Sequence, residues 1–176
     1  LTLLLWQGAP ANLEEAIRLH QSGNAAAAIP LYEAFLAERP GVTAIRSNLG
    51  AAYSATGRYA EAQKQFEIAL RARPADQRIR LNLGLALFKQ NLVVEAAEEF
   101  EKVYAAEAAN TQVVTLLADC YLMLGQNRKV ISLLGGYKSE NMAHNYMLGM
   151  ALIRDGQYAK GQVLVDQVLR AGESVE

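Results

Sequence analysis

Asn48-Leu49-Gly50-Ala51-Ala52-Tyr53 returns 34 residues later as Asn82-Leu83-Gly84-Leu85-Ala86-Leu87. A third copy, Tyr146-Met147-Leu148-Gly149-Met150-Ala151-Leu152, follows 65 residues after the second, which is two such periods less three. Each copy meets a break, at Gly57, Asn91 or Gly156, and then a second helix-forming stretch. Those stretches begin Tyr59-Ala60-Glu61-Ala62, Val93-Val94-Glu95-Ala96 and Tyr158-Ala159-Lys160-Gly161. Self-similarity at a fixed period of this length marks a chain built from stacked supersecondary units. Apolar residues recur within each stretch at spacings of three and four, which puts them on one face of a helix. Gly50, Gly84 and Gly149 sit inside these helices, where glycine costs about 1 kcal/mol relative to alanine. That cost needs a packing reason: the two helices of a unit cross closely, and Ala62 or Ala96 supplies the small residue opposite. Pro40 and Pro74, again 34 apart, stop the second helix of their units, because proline cannot continue a helix interior.

The bulk composition agrees. With 176 residues, 52% of them hydrophobic and only four prolines, the chain is long enough for a substantial core and unsuited to long disordered stretches. Abundant alanine with only 7% aromatics suits closely packed helices. The 17 basic and 18 acidic residues are interspersed for a net charge of −1, so no charged block invites a phosphate backbone and nucleic acid is not an expected partner. Cys120 is the single cysteine, which excludes an intramolecular disulfide and a cysteine-based zinc site.

These residues resemble the tetratricopeptide repeat family. Its pattern is a leucine-glycine pair, a tyrosine three residues on, a glycine in the turn, then alanine, phenylalanine, alanine and a closing proline. The second unit carries Leu49, Gly50, Tyr53, Gly57, Tyr59, Ala62, Phe66, Ala69 and Pro74. The resemblance covers nearly the whole chain and implies an all-α fold, a right-handed α-solenoid of about five helix-turn-helix hairpins. The repeats fall at about residues 9–42, 43–76, 77–110, 111–141 and 142–175, forming one superhelical domain over 9–175. The first is degenerate but readable in Ala16, Leu19, Gly23, Ala28, Tyr32, Leu36 and Pro40. In the fourth, Val130 replaces the small alanine, the second helix stops early at Gly135-Gly136, and about three residues are missing. A local irregularity at 135–141 that alters the stacking is expected there.

In this family the first helix of each hairpin lines a concave groove. The groove places of the third repeat hold Arg78, Leu81, Leu85, Phe88 and Lys89. Those of the fourth include Asp119, Leu122 and Met123, after Thr115, and those of the fifth Tyr146, Met150, Ile153 and Arg154. An apolar strip bordered by Arg78, Lys89, Asp119 and Arg154 has the composition of a partner-binding surface, and methionine adds adaptability. A helix with apolar anchors at i, i+3 or i+4 and i+7 complements such a groove. The resemblance therefore implies a protein or peptide partner. The alternative is that a second copy, or more of the same chain, fills the strip. Asp119 is expected to accept a hydrogen bond from a ligand or to pair with Arg78 or Arg154. The two-carboxylate clamp that related domains use on acidic chaperone tails is not expected, since only Asn48 matches in kind and Arg78 keeps a charge among the corresponding positions.

No phosphate loop, dinucleotide glycine motif, metalloprotease histidine pair or nucleophile elbow is present, so neither a cofactor nor enzymatic activity is expected. His20 and His144 lie in different repeats and read as surface or packing residues, and Cys120 reads as a buried inert thiol. Glu98, Glu99 and Glu101 lie on a second helix, where acid–base work needs a pocket that stacked hairpins do not obviously offer. No apolar run approaches the roughly 18 residues of a membrane span. Residues 1–8, opening with Leu1-Thr2-Leu3-Leu4-Leu5-Trp6, carry two readings. Either residues 1–11 are the remnant of an export signal, which places the protein in the periplasm or outside the cell, or they are the tail of an earlier helix in a cytoplasmic protein. Both ends are expected to continue in the natural protein.

Overall fold

The computed structural model describes residues 11–136 and 141–173. Among them are ten helices and no strand. The helices come as five pairs: α1 (Ala11–Gln21) and α2 (Ala25–Glu38), α3 (Thr43–Ala55) and α4 (Tyr59–Ala72), α5 (Gln77–Lys89) and α6 (Val93–Ala106), α7 (Thr111–Met123) and α8 (Asn127–Gly135), α9 (Met142–Arg154) and α10 (Tyr158–Glu173). The all-α class and the five hairpins are those the repeat predicts. The apolar segment 1–8 and most of the expected irregularity at 135–141 lie outside the described residues.

Local chemistry sets the boundaries. Between the helices of each pair sits one residue in the left-handed region: Gly23, Gly57, Asn91, Gly125 and Gly156, with φ from 61° to 86°. Glycine adopts this conformation without a Cβ clash and asparagine tolerates it better than most residues, which is why Asn91 can stand where the other turns have glycine. Asp76, Asn110 and Asn141 start α5, α7 and α9 by accepting a backbone N–H from Ile79, Val113 and Ala143 at 3.1, 3.3 and 2.9 Å. Each cap satisfies one of the amides that a helix start leaves without an internal partner. Arg39 and Arg73 close α2 and α4, and Pro40 and Pro74 come immediately after them.

The chain divides into two compact units, residues 1–92 and 93–176. In the first, α1 packs on α2, α2 on α3, α3 on α4 and α4 on α5. Its core is built at crossings where a small residue admits a large one. A Cβ placed on Gly50 would lie 2.7 Å from the Phe66 ring, while Phe66 and Ala62 are fully buried. A polar link ties α2 to α3, where the Tyr53 hydroxyl donates to Glu33, and Arg58 at the start of α4 stands 4.4 Å over the Tyr53 ring.

In the second unit α6 packs on α7, α7 on α8 and on α9, α8 on α9, and α9 on α10. The α9–α10 crossing is tighter still. Gly161 takes the place of Ala62, and a Cβ on it would lie 2.5 Å from the carbonyl oxygen of Gly149. The α7–α8 pair departs from this rule. Ala118 stands where α3, α5 and α9 carry glycine, and Val130, fully buried, takes the place of the small residue on the second helix. Helix α8 ends after nine residues, against 14 in α2, α4 and α6 and 16 in α10.

Burial of equivalent positions depends on the next neighbour. Leu36 and Leu70, one period apart on α2 and α4, are 6% and 8% exposed because α3 and α5 pack beside them. Leu169 holds the same place on α10 and is 57% exposed, with Tyr158 and Val163 also exposed on that helix.

Urea titrations of three variants test these contacts. Gly50→Ala gains at most about 1 kcal/mol of helix propensity but forces a Cβ into the Phe66 ring, an overpacking worth about 1–3 kcal/mol, so a net loss of stability is expected. Leu70→Ala is expected to cost about 2–5 kcal/mol as a large-to-small change in a core. Leu169→Ala is expected to stay within about 0.5 kcal/mol of wild type.

Candidate functional site

In the first unit the face of α5 turned away from the core carries Arg78, Leu81, Leu85, Phe88 and Lys89. The inward face is Ile79, Leu83, Ala86 and Leu87, all buried. Leu81, Leu85 and Phe88 are half-buried, and Arg78 and Lys89 are exposed at either end. Their spacing of three and four residues makes one apolar stripe with a cation at each end.

The second unit brings together its own share of the expected residues, because α7 and α9 pack side by side. On α7, Asp119 and Leu122 are half-buried and Met123 is 56% exposed. On α9, Tyr146 is 44% exposed, Met150 and Ile153 are half-buried, and Arg154 is exposed. Met142, missed by the sequence reading, is also exposed. It lies four residues before Tyr146 and eight before Met150, within the same helical face, so the spacing alone was enough to find it.

A polar contact pins the two helices. His144 Nε2 lies 2.7 Å from Thr115 Oγ1, and Thr115 Oγ1 donates to the Thr111 carbonyl at 2.9 Å. A hydroxyl has one proton to give, so with Thr111 as its acceptor Thr115 receives the Nε2 proton of His144. His144 is only 2% exposed, and burial holds its imidazole below the ordinary value of 6.5, against the pull of the nearby Asp119. It is a packing histidine rather than a surface one. One turn past Thr115, loss of solvent pushes the Asp119 carboxyl above its ordinary 3.8, with His144 again opposing. Within its unit, Asp119 forms no ion pair with Arg154.

Cys120, on the inner side of α7, is fully buried. Desolvation pushes its thiol up to about 12, and the charge of Asp119 adds to the effect. It is therefore protonated and unreactive at neutral pH.

Beside α8 there is a hollow of about 330 Å³ walled by Glu101, Tyr104, Leu117, Tyr121, Lys129, Ser132 and Leu133. Nothing in the spacing around Glu101 signalled a pocket there. Tyr121 donates to Glu101 at 2.7 Å, and Lys129 Nζ lies 3.0 Å from the same oxygen and 4.8 Å over the Tyr121 ring. These contacts, led by the tyrosine hydrogen bond, hold the Glu101 carboxyl below its usual range. The hollow thus contains a satisfied ion pair, and no second carboxylate stands among its described walls to share acid–base work. No group of three or more metal-ligating side chains occurs among the described residues, and no described helix is long and apolar enough to cross a membrane.

Comparisons with known proteins agree with this architecture. The tetratricopeptide repeat family model matches residues 13–62 and 47–113, together more than half of the chain. No curated protein sequence matches. Among solved structures, MamA (41-end) from Desulfovibrio magneticus RS-1 is 19% identical, covering 95% of this chain and 98% of that one with a TM-score of 0.82. The nearly identical repeats of a putative kinesin light chain from Podosopora anserina are 23% identical over 94% and 95%, with a TM-score of 0.72. YrrB, described as a repeat protein with an unusual peptide-binding site, is 18% identical over 93% and 86%, with a TM-score of 0.82. At these identities the likeness is one of fold.

Asp119→Asn is expected to raise the melting temperature at neutral pH. A folded-state value above the unfolded 3.8 means that the folded chain binds this proton more tightly, so the ionised carboxylate costs stability at neutral pH. The gain should shrink as pH falls through the raised value toward 3.8, which thermal melts of both proteins across that range would test.

Proposed function

The chain belongs to the tetratricopeptide repeat family and is a scaffold for protein–protein interaction; from that premise we propose that it holds a helical or extended peptide segment against the apolar faces of its first helices. The observation that carries this reading is the α7–α9 face. Met123, Met142 and Tyr146 are large apolar side chains left exposed on one compact unit, beside half-buried Leu122, Met150 and Ile153. Exposed apolar surface of this kind with a charged border favours a partner, and thioethers can repack around different side chains. The stripe Leu81, Leu85 and Phe88 on α5, between Arg78 and Lys89, offers the same chemistry. That YrrB, of like fold, is described by its peptide-binding site is in keeping with a peptide ligand.

Nucleic acid and catalysis form no part of the proposal. A net charge of −1 supplies no excess of cations for a phosphate backbone, and two groups that could carry chemistry are engaged in structure: Cys120 is protonated and buried, and Glu101 is paired.

A second reading has its own observation. Tyr158, Val163 and Leu169 are large apolar side chains exposed on α10, chemistry that also suits a second copy of the chain.

The deciding experiment is a pull-down from native extract with wild type, Leu85→Glu and Met150→Glu, each first checked for equal helicity by circular dichroism. A specific partner should be retained by wild type and lost by Met150→Glu, with a measured affinity drop of about tenfold or more, which is about 1.4 kcal/mol. Equal retention by all three proteins would sink the groove reading. A dimer in light scattering that Leu169→Glu dissociates would instead establish assembly through α10.

A further inference from the structure

Among the described residues, Glu15 pairs with Arg18, Glu61 with Arg58, Glu99 with Lys102, Glu101 with Lys129 and Asp155 with Arg128. Others without a basic partner among the described residues, such as Glu14, Glu38, Glu95 and Glu98, are exposed, where water solvates them. Half-buried Glu67, Asp76 and Asp166 accept hydrogen bonds from Gln63, the Ile79 amide and Gln162, and Asp119 fits none of these groups. It is half-buried and makes no hydrogen bond or ion pair among the described residues of its unit. Its helical neighbours on the open side are Leu122 and Met123, three and four residues on. A carboxylate withdrawn from water without a partner destabilises the fold, and that penalty is relieved only by a positive charge or strong donors brought to it.

The protein's own groups do not supply them. Thr115, one turn earlier, gives its proton to Thr111 and takes one from His144. Burial lowers the imidazole of His144 from its ordinary 6.5, and its pull on Asp119 does not outweigh the carboxylate's loss of solvent. Arg154, at the far end of the α9 stripe, is exposed and forms no ion pair with Asp119.

We propose that the partner segment seated on the α7–α9 face carries one lysine or arginine that pairs with Asp119, flanked one turn away by apolar side chains that cover Met123 and Met150. This rests on the peptide-groove reading above and adds the charge of the ligand to it. The apolar stripe supplies area and contact, which many sequences satisfy. The single desolvated carboxylate supplies selectivity, because an uncharged or acidic side chain placed there leaves a buried charge unpaired.

The test uses the full chain, immobilised, against a phage-displayed library of random dodecapeptides, in parallel with Asp119→Asn and Met150→Glu. Asp119→Asn removes a charge without changing shape and is expected to fold at least as stably as wild type. Wild type should enrich peptides with lysine or arginine at one fixed place and apolar residues three or four positions to each side. Asp119→Asn should enrich the apolar spacing without the basic residue, and Met150→Glu should lose the apolar preference. A fluorescein-labelled wild-type winner and its Lys→Gln form should then differ in affinity by about tenfold or more for wild type, and by much less for Asp119→Asn. Apolar spacing with no basic preference, or a basic preference that survives Asp119→Asn, would overturn the pairing while leaving the groove intact. Enrichment of no sequence pattern at all would overturn both.

Discussion

Everything in this fold depends on how closely the first and second helices of a hairpin approach. At Gly50 the absence of a Cβ lets the Phe66 ring rest on the backbone of α3 itself, 2.7 Å from where that carbon would be. At Gly149 and Gly161 both helices give up their side chains at the crossing. Glycine inside a helix is unfavourable by about 1 kcal/mol, and the close contact returns it as dispersion and as apolar surface removed from water. The fourth pair relaxes the device. Ala118 and Val130 put side chains into its crossing, α8 stops after nine residues, and a hollow remains beside it, bordered by the Tyr121–Glu101–Lys129 contacts.

A crossing made of small residues also decides what the opposite face must carry. The inward face of α5 is filled by Ile79, Leu83, Ala86 and Leu87. Leu81, Leu85 and Phe88 are therefore left on a surface that no other part of the first unit buries fully. On α7 and α9 the same division leaves Leu122, Met123, Tyr146, Met150 and Ile153 outward while Leu117, Ala118 and Ala151 go in. The proposed interaction surface is thus a by-product of repeat packing, and its individuality comes from the few polar residues set in it. Asp119 is one of these. It weakens the folded state at neutral pH, and a residue that breaks a local rule without an internal compensation points toward a ligand.

Much of this was legible in the chain. The leucine-glycine pairs, the glycine or asparagine turns and Pro40 and Pro74 mark the helices, because each acts on backbone within a few residues of itself. The twelve groove residues that the family resemblance implies are all exposed or half-buried. Met142 was overlooked although its spacing placed it on that face. The burial of His144 and its bond to Thr115 were not readable, because they join residues 29 apart across two helices.

By itself, then, the sequence determined the helices, their pairing, their turns and which face of each turns inward, since these are set by steric and solvation effects within one or two turns of chain. Tertiary structure alone decided what those faces meet. Leu70 and Leu169 occupy the same place in the same repeat pattern, yet one is 8% and the other 57% exposed. The difference lies in α5 packing beside the first. Likewise an aspartate at residue 119 is an ordinary polar residue of a helix until Thr115 and His144 satisfy each other and the packing of α7 on α9 withdraws it from water. Burial and pairing depend on every neighbour in space, and no periodicity along the chain records them.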